Sequence, residues 1–345
     1  MNKMEPLVIS KALFFYDIII QKVMSGSDGM EQNIIAVVWD FDKTLIDGYM
    51  QIPIFKKYQI EEKNFWQEVG EIGEKYEKMG IRVNKDTLYL NHMITCVKQG
   101  IFKGLNNALL FELGNELKFY KGIPEIFLEM KQRIEKDEKF SDFNIKVEHY
   151  IVSTGFAEMI KGSPVAKYVE GIWGCEFIEK PIASKLKGNE TENEKKEIKE
   201  ISQISYSVDN TTKTRAIYEI NKGVNWYGDI DVNSKINNKD RRVPFENIIY
   251  IADGPSDVPV FSVLKSNGGQ TFAIYPKGDV KAFKQVDQLR KDGRIDMFGE
   301  ADYSKGTITN MWLLNHVEEI AKKIYFEKVD QIKNTVSEAP KHINE

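Results

Sequence analysis

Asp40 and Asp42, with Thr44 two residues further on, follow directly on the apolar run Ile34–Trp39. A lone pair of this kind reads equally well as a polar turn after a core strand, since Asp and Thr are common turn formers. The rest of the chain changes that balance. Ser153 closes a second apolar run, Lys213 heads a helical segment after polar residues, and Asp253-Gly-Pro-Ser-Asp257 closes another apolar run. Carboxylates in such a set bind a hard cation, move protons or attack an electrophile, while an ammonium and a hydroxyl bind an anion. Any one of these residues is explicable as turn composition. Their recurrence in order at strand ends is not.

The elements that must position them follow from the apolar pattern. Runs rich in Val, Ile and aromatics without alternation, at Ile34–Trp39, 147–152, 172–178, Ile248–Ala252 and 271–275, predict strands buried on both faces, as in a parallel sheet. Polar residues just past the carboxyl ends of such strands lie where open α/β sheets bind ligands. Between the first two runs the period becomes helical at 63–79, 85–98 and 107–117, with Gly80, Gly100 and Gly104 as breaks. These three or so helices read as an inserted domain, the alternative being layer helices of the main sheet. Residues 7–24 read as an amphipathic helix packed on the body or on a partner, 185–200 as a solvated charged loop or hairpin, 223–247 as a surface hairpin, and 312–333 as a charged helix. The tail from Ser337 reads as frayed. Gly155 fits a positive φ or a backbone that comes close to a ligand.

The expected fold is a Rossmann-like three-layer α/β/α core around a central parallel sheet, plus an inserted helical cap domain. Its parts are an N-terminal helical extension over 1–33, a core of 34–46 and 119–335, and a cap over 47–118. The 345 residues, 42% hydrophobic and 29% charged, suit a globular protein of about two domains. A net charge of −4 without a basic block argues against nucleic acid as partner. No stretch reaches about 18 uninterrupted apolar residues, which argues against a membrane span. Cys96 and Cys175 are far apart and match no metal spacing, so they read as reduced thiols in a cytoplasmic protein. His92, His149, His316 and His342 are scattered and read as structural or surface residues, with His92 placed in the cap region. Phe55, Tyr58, Phe65, Trp66 and Tyr76 read chiefly as the core of the cap.

From Ile34 to about Tyr275 the chain resembles the haloacid dehalogenase superfamily, in particular its phosphoserine phosphatase-like branch with a helical cap after the first motif. Asp40-Phe-Asp42-Lys-Thr44 matches the first motif, Ser153 the second, Lys213 the third, and Asp253-Gly-Pro-Ser-Asp257 the fourth. The resemblance implies a Mg²⁺-dependent phosphatase that hydrolyses a small phosphorylated metabolite through an aspartyl-phosphate. Attack of a carboxylate on an anionic ester requires cations to offset the repulsion. Asp40 is then the nucleophile, and Asp42 the acid and base. Mg²⁺ is held by Asp40, Asp253 and the carbonyl of Asp42, and Ser153 and Lys213 bind phosphoryl oxygens. Thr44, Thr154, Gly155, Gly254 and Asp257 support them, Asp257 by holding the metal's water shell or by orienting Lys213. An acid at the Asp42 position separates phosphoryl-transfer members from dehalogenases.

The chain also departs from that pattern. Ala252 replaces a Gly before Asp253, Thr154 replaces a Gly after Ser153, and Tyr49 stands where phosphoserine phosphatases carry a Glu, which removes the partner for a substrate amino group. Lys185, Lys187 and Lys222 are alternatives to Lys213. A phosphotransferase using the same phosphoenzyme, or a catalytically silent binding protein of the same fold, is the alternative function. Neither the substrate nor the oligomeric state is legible.

Overall fold

The computed structural model describes residues 31–182 and 199–337. The expected N-terminal helix at 7–24 and nearly all of the 185–200 charge run lie outside the described residues, as do Lys185 and Lys187. The central sheet has seven strands: β1 (Ile34–Trp39), β2 (Lys146–Phe156), β3 (Gly171–Ile178), β4 (Gln203–Tyr206), β5 (Ile248–Ala252), β6 (Gln270–Tyr275) and β7 (Met297–Glu300). Their spatial order is β4-β3-β2-β1-β5-β6-β7, and every pairing is parallel except β3 with β4.

All six residues of β1 are buried, because both faces of the sheet are covered. Ile35, Val37 and Trp39 pack on one face, with Phe127 and Met130 of α5 (Glu125–Glu135), Phe140 of α6 (Glu138–Ser141), and Leu313 and Val317 of α11 (Ile308–Ser337). Ala36 and Val38 pack on the other. Their partners there are Ile217 and Ile220 of α8 (Lys213–Lys222), Val260 and Phe261 of α9 (Val258–Ser266), and Val286 of α10 (Val280–Lys291). The period-two alternation of one strand thus builds two cores, and the three-layer α/β/α arrangement follows. From β1 the chain winds outward through β2, β3 and β4, then returns to the other side of β1 at β5. β1 is therefore the topological switch point, and the crevice beyond its carboxyl end is where such a sheet leaves room for a ligand.

Between β1 and β2 lie four helices, α1 (Ile52–Tyr58), α2 (Glu62–Lys78), α3 (Leu88–Lys98) and α4 (Asn107–Gly114). The breaks at Gly80, Gly100 and Gly104 all carry positive φ, as helix ends require. The additional helix is α1, whose Pro53 lies in its first turn. These helices share one continuous hydrophobic cluster with the α5 face of the sheet, through residues such as Phe55, Phe65, Met93 and Leu113. Contact is closest where α4 meets α7 (Ala157–Lys161): a Cβ on Gly114 would come within 2.2 Å of the Met159 carbonyl oxygen. One on Gly162 would come within 1.8 Å of that of Phe111.

β4 and β7 lie outside the five strands expected from the sequence. The hairpin expected at 223–247 is absent: that segment holds turns and two short 3₁₀ helices, Asn238–Asp240 and Phe245–Asn247, and folds back onto the core. Arg242 explains why, since it is buried in a bidentate pair with Glu148 of β2 (2.6 and 2.7 Å), and Val243 and Phe245 are buried beside it. Among the described residues no helix is long and apolar enough to cross a membrane.

Candidate active site

The ladder between β1 and β5 runs one residue past the strand, with the Asp40 N–H donating to the Ile251 carbonyl (2.8 Å), so the Asp40 side chain leaves the sheet at its carboxyl edge. A tight turn follows, in which the N–H groups of Thr44 and Leu45 return to the Phe41 carbonyl (3.2 and 2.9 Å) and Lys43 adopts φ +58°. That turn carries Thr44 back under Asp40, where its Oγ1 donates to Asp40 Oδ2 (3.0 Å). The Thr44 carbonyl in turn accepts from the hydroxyl of Tyr303 (2.6 Å), a residue with no signal in the motif itself. Asp42 projects beside Asp40, and its Oδ1 accepts from the Met50 N–H (2.9 Å).

Lys213 is the first residue of α8, and only 2% of it is exposed. Its Nζ donates to Asp40 Oδ1 and to Asp257 Oδ1, both at 2.7 Å, joining residues 173 and 44 positions away. The start of α8 is fixed by Asp209, whose Oδ1 accepts from the N–H groups of Thr211 and Thr212 (3.0 and 2.7 Å). The residue at the helix N-cap is Thr212, which makes no capping bond with its own side chain. Lys222 is elsewhere, donating to the carbonyls of Val232 and Ser234 (2.6 and 2.7 Å).

Asp257 is fully buried. It accepts from Tyr250 Oη (2.5 Å) and Ser256 Oγ (2.8 Å) in addition to Lys213. Carboxylate oxygens of Asp40, Asp253 and Asp257 all lie within 4.8 Å of one another. Gly254, between β5 and the turn Pro255–Asp257, has open space where a side chain would stand.

Ser153 arrives on β2 by register: Trp39 lies opposite Ile151, which sets Ser153 beside the first motif at the same sheet edge. It is buried, and its Oγ accepts from the Gly155 N–H (3.0 Å). Gly155 has no positive φ. A Cβ there would come within 2.3 Å of the end of the Met50 side chain. The Thr154 carbonyl accepts from Tyr89 Oη of α3 (2.6 Å) and from Cys175 Sγ (3.3 Å).

Burial and close charges shift the titration of Asp253, Asp40, Asp42 and Lys213. Burial, and then the charges of Asp40 and Asp257, push Asp253 up to about 7. For Asp40, burial raises the carboxyl to about 6 against the opposing pull of Lys213. Asp42 rises to about 8, again through burial first and the charge of Asp40 second. Burial works against the charge on Lys213, yet Asp257 and Asp40 outweigh it and hold the ammonium above its ordinary range.

The structure thus brings Asp40, Asp42, Thr44, Ser153, Lys213, Asp253 and Asp257 to one sheet edge. His92 belongs to the interior of the inserted helices, near Cys96 (3.6 Å) and Glu68 (3.3 Å). Tyr250, Tyr303, Tyr89 and Gln51 border the site without any motif to announce them. Lys43 does so inside the first motif: its Nζ donates to Tyr49 Oη (2.7 Å) and lies 4.1 Å from the center of that ring.

No family model matches the chain. An uncharacterized protein of Borreliella burgdorferi is 37% identical over 290 residues, which cover 83% of this chain and 97% of that protein. The chain belongs to that protein's family. Its seven-stranded, mostly parallel sheet with helices on both faces is the three-layer α/β/α core expected from the sequence. Among solved structures, a HAD-family hydrolase from Salmonella enterica serovar Typhi aligns with TM-score 0.49 and 13% identity, covering 90% of this chain and 80% of that one. A phosphoserine phosphatase solved with a phospho-aspartyl intermediate analogue aligns with TM-score 0.44 and 14% identity, covering 77% and 93%.

Proposed function

We propose that this chain is a cytoplasmic phosphomonoesterase acting on a small phosphorylated metabolite, with Mg²⁺ as cofactor and the helices of residues 47–118 as its cap. The observation that carries the reading is the buried Lys213 bridge between Asp40 and Asp257. A structural salt bridge needs one carboxylate, whereas this lysine shares a cleft at the switch point with four, counting Asp42 and Asp253. Burying so much like charge is costly, and a site for an anion and a cation together is the arrangement that offsets it.

The donor set fits Mg²⁺. Its oxygens are hard ligands, and three carboxylates converge within 4.8 Å while a single ammonium leaves their charge unbalanced. Asp40, Asp253 and the main-chain carbonyl of Asp42 would hold the ion, with Asp257 behind them, already engaged by Lys213, Tyr250 and Ser256. Bound there, Mg²⁺ supplies charge neutralisation for the transferring phosphoryl group.

The chain's own residues supply the rest. Asp40 forms a bond from a carboxylate oxygen to phosphorus as the ester C–O–P linkage breaks at P–O, and the departing alkoxide takes its proton from Asp42. Asp42 is suited to give it, because its carboxyl, raised to about 8, still carries a proton at neutral pH. The deprotonated Asp42 then takes a proton from water as that water's oxygen attacks phosphorus, which releases phosphate and returns Asp40. Ser153 and Lys213 meet the equatorial oxygens. Thr44 and Met50 hold the two carboxylates in their orientations. Phosphate release from a panel of phosphomonoesters, with and without EDTA, tests the reading. Release that EDTA abolishes and Asp40→Asn eliminates is expected; no release from any ester with Mg²⁺ present would overturn it.

A further inference from the structure

Gln51 presents a buried carbonyl oxygen that the protein leaves unanswered. Only 2% of the residue is exposed, and its Oε1 is one of three buried side-chain polar atoms among the described residues without a hydrogen-bond partner. A buried acceptor left unpaired is uncommon and costly, so a position that keeps one calls for a physical reason.

Its surroundings provide that reason. Gln51 directly follows Met50, whose N–H holds Asp42 (2.9 Å) and whose side chain lies against Gly155 of the second motif. It directly precedes α1, so its main chain is fixed by the first helical turn, the Phe55 N–H donating to its carbonyl (3.1 Å). The Gln51 side chain lies beside the Tyr89 phenol, a neighbour it shares with Asp42. That phenol is itself committed to the Thr154 carbonyl (2.6 Å). The oxygen is therefore held by rigid elements where the inserted helices meet the proton-transferring carboxylate.

We infer that Gln51 Oε1 reads the leaving group, accepting a hydrogen bond from a hydroxyl or amine carried close to the ester oxygen of the substrate. This rests on the phosphomonoesterase reading and narrows it to esters of diols, sugars or amino alcohols, as against esters of simple alcohols. A site built to pair with a donor rejects the analogue that lacks it, because the site's own group then stays buried and unpaired.

Ethyl phosphate, 2-hydroxyethyl phosphate and 2-aminoethyl phosphate form the test series, each with Mg²⁺, on the wild-type chain and on Gln51→Met and Gln51→Glu. Binding is read from the shift in thermal midpoint, and turnover separately from phosphate release. The wild type is expected to prefer the donor-bearing esters by about ten- to a hundredfold. Gln51→Met should bring that ratio close to one, and Gln51→Glu, which keeps an acceptor, should retain a preference. Without ligand, Gln51→Met should unfold at the same or a higher urea concentration than the wild type, since it removes an unpaired polar atom of similar size. Equal or absent midpoint shifts for the three esters in the wild type overturn the inference, as does a preference that survives in Gln51→Met. So does a lowered urea midpoint in that variant, which would make the amide structural. Selective binding without phosphate release would instead overturn the phosphatase reading and leave this one standing.

Discussion

Replacing His149 by glutamine should flatten the acid limb of the protein's stability curve. His149 lies on β2, fully buried, opposite Val37. Trp39 Nε1 is 3.3 Å from its Nδ1, and its Nε2 is 3.1 Å from the Phe127 carbonyl. An indole N–H only donates, so Nδ1 must accept and the single ring proton sits on Nε2, where it serves the carbonyl. A second proton would have to go on Nδ1, facing the indole N–H. Burial above all, and then the charge of Lys131, push the imidazole down from 6.5 to about 3. Because the folded-state value is depressed, the unfolded chain binds more protons between those limits, and the stability is present above the unfolded value and lost as pH falls toward the folded one. The whole effect is about 5 kcal/mol, of which about 3 kcal/mol is lost by about pH 4.5. Urea unfolding of the wild type and His149→Gln at about pH 7.5 and about pH 4.5 isolates it, since groups common to both cancel in the difference. The wild type should lose about 3 kcal/mol more than the variant over that interval. A difference that stays constant, or grows in the wild type's favour on acidification, would refute the neutral buried imidazole.

Other perturbations act on the site directly. Asp40→Asn should abolish phosphate release with the far-UV spectrum intact, while Asp42→Asn should lower it by roughly 10²- to 10⁴-fold and allow labelled phosphoenzyme to accumulate. Equal, mild losses from the two would contradict their separate roles. Lys213→Ala leaves Asp40 and Asp257 without their cation and should cost roughly 3–5 kcal/mol in urea unfolding as well as most of the activity; Lys222→Ala, remote from the carboxylates, should leave the rate nearly unchanged. Gly162→Ala forces a methyl to within 1.8 Å of the Phe111 carbonyl oxygen and should destabilise by at least about 1–3 kcal/mol. Gly70→Ala, on the exposed side of α2 with nothing nearby, should instead stabilise by about 0.5–1 kcal/mol.

How far the sequence reveals this molecule depends on whether a residue's environment is local. β1 and β5 are legible because burial on both faces suppresses polar residues, leaving unbroken apolar runs. β4 and β7 are not, because each is a four-residue edge strand covered on part of its surface only, and its pattern is indistinguishable from a loop's. The 223–247 segment misleads for a related reason. Its charged composition points to solvent, but Arg242 is drawn inward by Glu148, 94 residues away. Asp40, Asp42, Ser153 and Asp253 can be found in order because strand ends advertise them. Lys213 is found only as a helix start, and its two carboxylate partners become visible once the sheet closes. Tyr303 supports Thr44 from 259 residues away and gives no local signal. Gln51 gives none either, since what sets it apart is a missing partner.

The contact between α4 and α7 sets how the inserted helices join the core. Gly114 and Gly162 bring two main chains together with no side chain between them, and α7 begins where β2, the strand of Ser153, ends. Toward α3 the inserted helices are fastened by side chains: Tyr89 to the Thr154 carbonyl at 2.6 Å, and Asn84 Nδ2 to Asp209 Oδ2 at 2.8 Å. The inserted helices thus meet the sheet by main-chain contact at one edge and by single side-chain hydrogen bonds, over a shared apolar core, at the other.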